Sequence, residues 1–325
     1  MRKVVQTVIG IGDLTLDIFL PQLERLPEWG LEVMIDEPRR QLGGNIGNMA
    51  IGAAALAAPF VSCGFIGSDQ EGGFLKEQFK RLNLSMDGLR EHRKERTSQT
   101  FACIRKDGER FFLTYPGVLN QMEELFADIA LPPGNIVFLS GWCLPPRVSP
   151  NRLNELIRMW RGEGRWIAAD LIWSDETWMS KADLLEVLLQ CDAVFMNTDE
   201  LAAFTDSQDL QTGITRLRRW IATAREPSAG KLFIIKKGKE GAAAVGAELT
   251  CEVKAIAIEA EHTVGAGDLF NISFLHARWN RNKTIEEALR FACTFAGLSI
   301  RKKGSGIPTE SEVNGQFSEG GGSIE

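Results

Sequence analysis

The chain has 325 residues, 44% of them apolar, 25% charged and 8% aromatic, enough for a core that needs neither disulfides nor a structural metal. Lysine and arginine number 37 against 43 aspartates and glutamates, a formal net charge of −6, and the cations are dispersed apart from short runs at 90–96 and 301–303. That excludes a nucleic-acid partner, which would need a concentrated basic face.

The first strand-like apolar run, 4–11, follows Met1-Arg2-Lys3 and is too short and wrongly flanked for a signal peptide. It leads into Gly10-x-Gly12-x-x-Thr15, where a dinucleotide fingerprint would require a third glycine and a following helix, and neither is present. No P-loop pattern occurs elsewhere. Asp17 then reads as a carboxylate at a strand's C-terminal end, where open α/β sheets bind ligands, or else as a solvated loop acid. After an irregular segment, 18–42, comes Gly43-Gly44-Asn45-Ile46-Gly47-Asn48, a glycine-rich entry to a helix at 46–57. The amides of Asn45 and Asn48 beside bare backbone suit the hydroxyls of a neutral polyol, although a turn and helix cap would use the same residues.

A strand at 61–65 and a helix at 70–82 follow, and the Ala-rich stretch 49–66 contains Pro59 and Ser62 and is too weakly apolar to span a membrane. Between 97 and 115 two β-rich runs, 100–105 and 110–114, flank Lys106-Asp107-Gly108-Glu109, a hairpin turn signal. Segments 18–42 and 97–115 together predict a small antiparallel lid beside the main sheet, or an edge extension without a role. Thereafter strands at 136–139, 166–169, 193–196 and 232–235 alternate with helices at 151–161, 181–190 and 212–223, the pattern of a mainly parallel sheet with helices on both faces. Asn197-Thr198-Asp199-Glu200 follows one of these strands and fits helix capping. Lys236-Lys237-Gly238-Lys239-Glu240-Gly241 joins another to 242–245 as a hairpin with a charged tip.

The strongest local signal is His262-Thr263-Val264-Gly265-Ala266-Gly267-Asp268 before a helix at 269–279. Small residues let the backbone approach a ligand, and the unpaired amides at the helix start favour an anion. An aspartate there would repel a phosphate unless it had a chemical role, and accepting a proton from an attacking hydroxyl is one; a tight loop with an acid at the helix start is the plain alternative. The six cysteines (Cys63, Cys103, Cys143, Cys191, Cys251, Cys293) show no C-x-x-C and no histidine at ligand spacing, so they read as buried apolar residues of a cytoplasmic enzyme. The Gly/Ser/Glu-rich end, 316–325, is expected to be disordered, leaving 1–315 as one α/β domain with its lid.

Taken in order, these pieces resemble the ribokinase (PfkB) family of carbohydrate and nucleoside kinases, from about residue 8 to 308. The resemblance is carried by Gly43-Gly44-x-x-x-Asn48-x-Ala50 with Gly67-x-Asp69-x-x-Gly72, by Thr263-x-Gly265-Ala266-Gly267-Asp268-x-Phe270, by Asn197 and Glu200 as Asn-x-x-Glu, and by Gly238 and Gly241 as Gly-x-x-Gly. It implies a ribokinase-like α/β fold and transfer of a phosphoryl group from ATP to a hydroxyl of a neutral sugar. Asp268 would be the base, and the Gly265, Ala266, Gly267 and Asp268 amides the anion hole. Asp17, Gly44, Asn45 and Asn48 would hold the substrate. Asn197 and Glu200 would order Mg²⁺ and the phosphates through water, and Lys236, Gly238 and Gly241 would border the nucleotide. Two copies could pair through the lid. A nucleoside kinase of the same family, or a non-catalytic sugar or nucleotide sensor, are the competing readings.

Three departures bear on specificity. His262 replaces the aspartate that binds a monovalent cation in ribokinase-like members, which counts against K⁺ activation. Asp170-Leu171-Ile172-Trp173-Ser174 lacks the Asn and Arg of the family's Asp-Pro-Asn-x-Arg, which counts against an acidic substrate. Asn45 and Gly141-Trp142-Cys143 replace the lysine and glutamate of ribokinases, and an aromatic such as Trp142 near the substrate would suit a sugar face or a nucleoside base.

Overall fold

The computed structural model describes residues 5–23, 27–105, 109–143, 148–172, 180–223, 230–260, 263–301 and 306–319. Its centre is a nine-stranded sheet ordered β13-β12-β11-β10-β9-β8-β1-β4-β5. The strands are β1 (Val8–Ile11), β4 (Phe60–Gly67), β5 (Leu89–His92), β8 (Ile136–Leu139), β9 (Trp166–Asp170), β10 (Ala193–Asn197), β11 (Leu232–Lys236), β12 (Ala242–Val245) and β13 (Thr250–Val253). All pair in parallel from β5 through β11, and β12 and β13 close the edge antiparallel.

Both faces of this sheet are covered, so its strands read as continuous apolar runs whose side chains divide with period two. From β10, Ala193 and Phe195 enter the core shared with α1 (Asn45–Ala55), α2 (Gln70–Arg81), α8 (Ala266–Leu275), α9 (Ile285–Ser299) and α10 (Glu310–Glu319). Val194 and Met196 enter the opposite core, built with α3 (Met122–Ala127), α4 (Pro150–Gly162), α5 (Lys181–Leu188), α6 (Thr198–Thr205) and α7 (Leu210–Thr223). The tail expected to be disordered from 316 is instead helical as far as Glu319, because Val313 is fully buried and anchors α10. Residues 320–325 lie outside the described residues.

The two segments predicted as a lid form a second sheet, ordered β3-β2-β6-β7, from β2 (Thr15–Phe19), β3 (Arg39–Gly43), β6 (Gln99–Ile104) and β7 (Arg110–Tyr115). The expectation that it is antiparallel needs correction. β2–β3 and β6–β7 are antiparallel, but β2 and β6 pair in parallel, Leu16 opposite Gln99. The reason is topological: β2 follows β1 and β6 follows β5, so both enter the small sheet from the C-terminal edge of parallel strands. The hairpin tip Lys106-Asp107-Gly108 lies outside the described residues. Phe19, Ala102 and Ile104 face inward onto Val264, whereas Phe101, Phe111, Leu113 and Tyr115, on the other face, are exposed.

Candidate active site

The C-terminal ends of the parallel strands place Asp13 just beyond β1, Ser140 beyond β8, Asp170 at the end of β9, Asn197 at the end of β10 and Lys236 at the end of β11. The N-termini of α1 and α8 meet along the same edge, where an open α/β sheet binds its ligands. Gly265 turns the chain into α8 at φ 74°, in the left-handed region that favours glycine, and a Cβ there would come within 3.2 Å of the Asn48 side chain. The first helical bond is Leu269 N to Gly265 O at 3.0 Å, so the amides of Gly267 and Asp268 precede it and face the edge with the positive end of the helix dipole.

Asp268 lies in that first turn, 8% exposed, and its Oδ2 accepts a 2.9 Å bond from Asn48 Nδ2. Burial pushes its carboxyl well above the usual carboxylate range, and the Asp170 charge pushes the same way; the Asn48 bond and the Lys236 ammonium oppose them. Beneath Asp268, Lys236 Nζ donates to Asp170 Oδ1 and Oδ2 at 2.9 and 3.2 Å, and Asn271 Nδ2 donates to Asp170 Oδ2 at 2.9 Å. Burial alone would lower Lys236, but Asp170 and then Glu200 outweigh it and hold the ammonium charged. The candidate site therefore contains a buried ion pair below the amides that start α8.

On the acceptor side the structure corrects the reading of Asp17. It is not at the end of the first strand but in the middle of β2, opposite Gln41, and Asp13 occupies the place beyond β1. The chain turns sharply between β1 and β2, and the short stretch from Gly12 to Asp17 hides that turn from a pattern of apolar runs. Asp17 is nevertheless buried beside the glycine-rich entry to α1. A Cβ on Gly43 would lie 2.0 Å from its Cγ, so only glycine leaves room for the carboxylate. Burial raises Asp17 to about 6, the bond from Thr15 Oγ1 opposes this, and the Asp13 charge adds to it. Asp13 Oδ2 accepts the Asn45 amide at 2.9 Å and fixes the start of α1, while Asn45 Nδ2 donates to Ser140 Oγ at 3.1 Å. Asn48, Asn45 and Gly44 thus lie along the entry to α1 between Asp17 and Asp268. Trp142 is not: it is buried in the core with its indole nitrogen on the Asp170 carbonyl, and presents no face to a substrate.

On the other side of α8 lies a cavity of about 510 Å³, within the range of small-molecule sites. Lys236, Gly238 and Gly241 border it, with Thr263, Ala266 and Gly267 at one end and Ala296 and Gly297 of α9 along a wall. Gly241, at φ 110°, also lies where a Cβ would meet the Val253 carbonyl at 2.0 Å, so it serves the hairpin's packing as well. Asn197 and Glu200 form a reciprocal capping box on α6: Glu200 N donates to Asn197 Oδ1 at 2.8 Å, and Asn197 N to Glu200 Oε2 at 2.6 Å. They stand next to Lys236 in the register, Asn197 opposite it. Cys293 also lines the cavity, its thiol pushed up to about 12 by burial. His262, Trp173 and Ser174, on which expectations about K⁺ and acidic substrates rest, lie outside the described residues.

Comparison with known proteins identifies the architecture. A family model for pfkB family carbohydrate kinases matches residues 6–312. The chain belongs to this family. A 5-dehydro-2-deoxygluconokinase of Listeria monocytogenes is 24% identical over 292 residues, covering 84% of this chain and 86% of that one. Fructokinase-1 of rice (Oryza sativa subsp. japonica) is 24% identical over 326 residues, covering 95% and 96%. Among solved structures, an Arabidopsis thaliana ribokinase complexed with ribose and ATP superposes with a TM-score of 0.75 at 21% identity, over 96% of this chain and 98% of that one. The fold is ribokinase-like and the enzyme is a carbohydrate kinase. Asp13, Asp170 and Asn271 were not foreseen as part of this kinase's site. An acid closing the apolar run Trp166-Ile167-Ala168-Ala169-Asp170 was the available signal for one of them, since a buried strand ends in a carboxylate only where something pairs with it.

Proposed function

We propose that this kinase transfers the γ-phosphoryl group of ATP to a hydroxyl of a neutral sugar, with Asp268 as general base. The carrying observation is that one helix turn puts a desolvated carboxyl, bonded to Asn48 of the acceptor side, next to free amides at the mouth of a nucleotide-sized cavity. The sugar hydroxyl gives its proton to Asp268 as its oxygen bonds to the γ-phosphorus, and the bond from phosphorus to the β–γ bridging oxygen breaks to release ADP. The Gly267 and Asp268 amides stabilise the charge on the transferring group. Carboxylates and amides (Asp17, Asn45, Asn48) dominate the acceptor side, which suits hydroxyls rather than an acid or a phosphate.

Mg²⁺ would enter with the phosphates. Among the described residues no three acidic, His or Cys side chains cluster as a metal site, which is compatible with an ion that keeps its water and meets Glu200 through it. Such an ion neutralises phosphate charge when bound. A reducing, cytoplasmic setting fits the free thiols, four of them raised to about 12 by burial and therefore inert, with Cys251 partly exposed. The exposed apolar side chains of the lid sheet favour pairing with a second copy. Incubating the enzyme with ATP and Mg²⁺ against neutral sugars, sugar acids and nucleosides tests the reading: a neutral sugar should be phosphorylated fastest, and preference for an acid or a nucleoside would overturn the substrate class.

A further inference from the structure

Gly67-x-Asp69-x-x-Gly72 joins the end of β4 to the start of α2, and its three named residues close around one side chain, that of Thr97. Gly67 N donates to Thr97 Oγ1 at 2.9 Å, and that hydroxyl donates to Asp69 Oδ1 at 2.5 Å. Asp69 Oδ2 accepts Thr97 N at 2.9 Å, while Oδ1 also accepts Gly72 N at 2.9 Å and so caps α2. A Cβ on Gly67 would lie 2.4 Å from Thr97 N, and one on Gly72 would lie 2.1 Å from the Gly67 carbonyl oxygen and 3.0 Å from Thr97 Oγ1. The socket therefore closes only with glycine at both places. Thr97 and Ser98 are fully buried. From the other side, Val118 N donates to Arg96 O at 2.9 Å, Leu119 N donates to Ser98 Oγ at 3.2 Å, and Ser98 Oγ donates to the Pro116 carbonyl.

Thr97 stands two residues before β6, where the chain leaves the main sheet for the small one. The Ser98 carbonyl accepts Leu16 N at 2.9 Å, and the parallel pairing that begins there sets Leu16 opposite Gln99 and Asp17 opposite Thr100. A slip of one residue in this register would turn the Asp17 carboxylate to the other face of the small sheet. What holds Thr97 therefore holds Asp17, although the two lie on different strands. Burial would raise the Asp69 carboxyl, but the bonds from Thr97 and Gly72 outweigh it, with the Arg96 guanidinium adding to them, and keep it below the usual carboxylate range. The socket thus stays charged and closed at neutral pH.

We propose that Asp69 and Thr97 are positioning residues for the acceptor: their bonded pair seats the root of β6 on the main sheet and, through the β2–β6 register, places Asp17 against Gly43 and the entry to α1. The proposal rests on the reading of Asp17 as a sugar-binding carboxylate. Neither residue needs to touch the sugar, and a displacement of Asp17 by about 1 Å is enough to weaken capture.

The test uses the full chain with Mg²⁺-ATP and the sugar it phosphorylates fastest. Thr97→Val, which keeps the shape and removes the hydroxyl, should raise the KM for sugar at least about tenfold, with kcat and the KM for ATP within about threefold of wild type. Thr97→Ser, which restores the hydroxyl, should bring the sugar KM back to within about threefold. Independently of turnover, the Asp17 carboxyl can be titrated by NMR in protein carrying carbon-13 aspartate, its signal identified by its loss in Asp17→Asn. The midpoint, about 6 in the wild type, should fall by about one unit or more in Thr97→Val, because a displaced Asp17 meets water, and should stay in place in Thr97→Ser. The Asp13 charge, which also bears on Asp17, is untouched by both variants. A wild-type sugar KM in Thr97→Val overturns the proposal, as does an unmoved Asp17 midpoint, or an equal loss in sugar KM, ATP KM and kcat, which would mark a merely structural role. If Thr97→Val does not fold, Asp69→Asn, which can still accept the Gly72 amide, decides by the same readings. If the wild type phosphorylates no sugar, the kinase reading fails while the Asp17 titration still decides the positioning.

Discussion

Burial raises the Asp17 carboxyl from 3.8 to about 6, so the folded chain holds that proton more tightly than the unfolded chain does. The stability this contributes is complete below about pH 4 and is lost as pH rises through about 6, a loss on the order of 3 kcal/mol by neutral pH. Asp17→Asn keeps an oxygen to accept the Thr15 bond and cannot ionise. It should therefore unfold at higher denaturant than wild type at pH 8 and at the same denaturant at pH 4. Its KM for sugar should rise at least about tenfold, since a charge-assisted bond contributes about 1.5–3 kcal/mol, with the KM for ATP unchanged. Equal stability at both pH values with an unaltered KM would mean that Asp17 is solvated and holds no substrate. At this scale the sequence was readable where a residue's chemistry is local, as at Asp268 and Asn48, three-dimensional neighbours that each sit in a glycine-rich helix entry. It was not readable for Asp13, Asp170 and Asn271, whose parts in the site come from groups on other elements, 32, 66 and 101 residues away.

Among the elements, the strands buried on both faces were the most legible. The runs at 136–139 and 193–196 match β8 and β10 almost residue for residue, because a doubly covered strand has no polar positions to interrupt it. β5 escaped notice for the opposite reason, being a partly exposed edge strand, and β3, inside a segment read only as part of the lid, was given no bounds because it opens with exposed Arg39 and Arg40. Helix α9 shows how an element shapes the cavity proposed to hold the nucleotide. A Cβ at Gly297 would meet Ile256 at an ordinary 3.4 Å, so Gly297→Ala should be tolerated and should stabilise the helix by up to about 1 kcal/mol. Gly297→Leu would instead extend into the cavity. Its KM for ATP should rise at least about tenfold while the sugar KM holds, about the effect of denying one buried apolar contact. An ATP KM unmoved by leucine would place the nucleotide elsewhere.

For the molecule as a whole, the lid sheet turns an inward face to Val264 and leaves Phe101, Phe111, Leu113 and Tyr115 outward, Leu113 60% exposed. Pairing of two copies over this face would remove an aggregation-prone edge. Wild type is then expected to sediment as a dimer and Phe111→Asp/Leu113→Asp as a monomer; a monomeric wild type would contradict it. The central claim is narrower, and concerns how one sheet edge brings acceptor, base and phosphoryl group together. It is tested most directly by following transfer of radiolabelled γ-phosphate from ATP to sugar in a single turnover, for wild type and Asp268→Asn, across pH. The wild-type rate should climb with pH through a limb above the ordinary carboxylate range, because the buried Asp268 must first lose its proton. The variant should be slower by about two to four orders of magnitude, should lack that limb, and should bind ATP as before. A variant that labels the sugar at the wild-type rate would show that Asp268 is not the base.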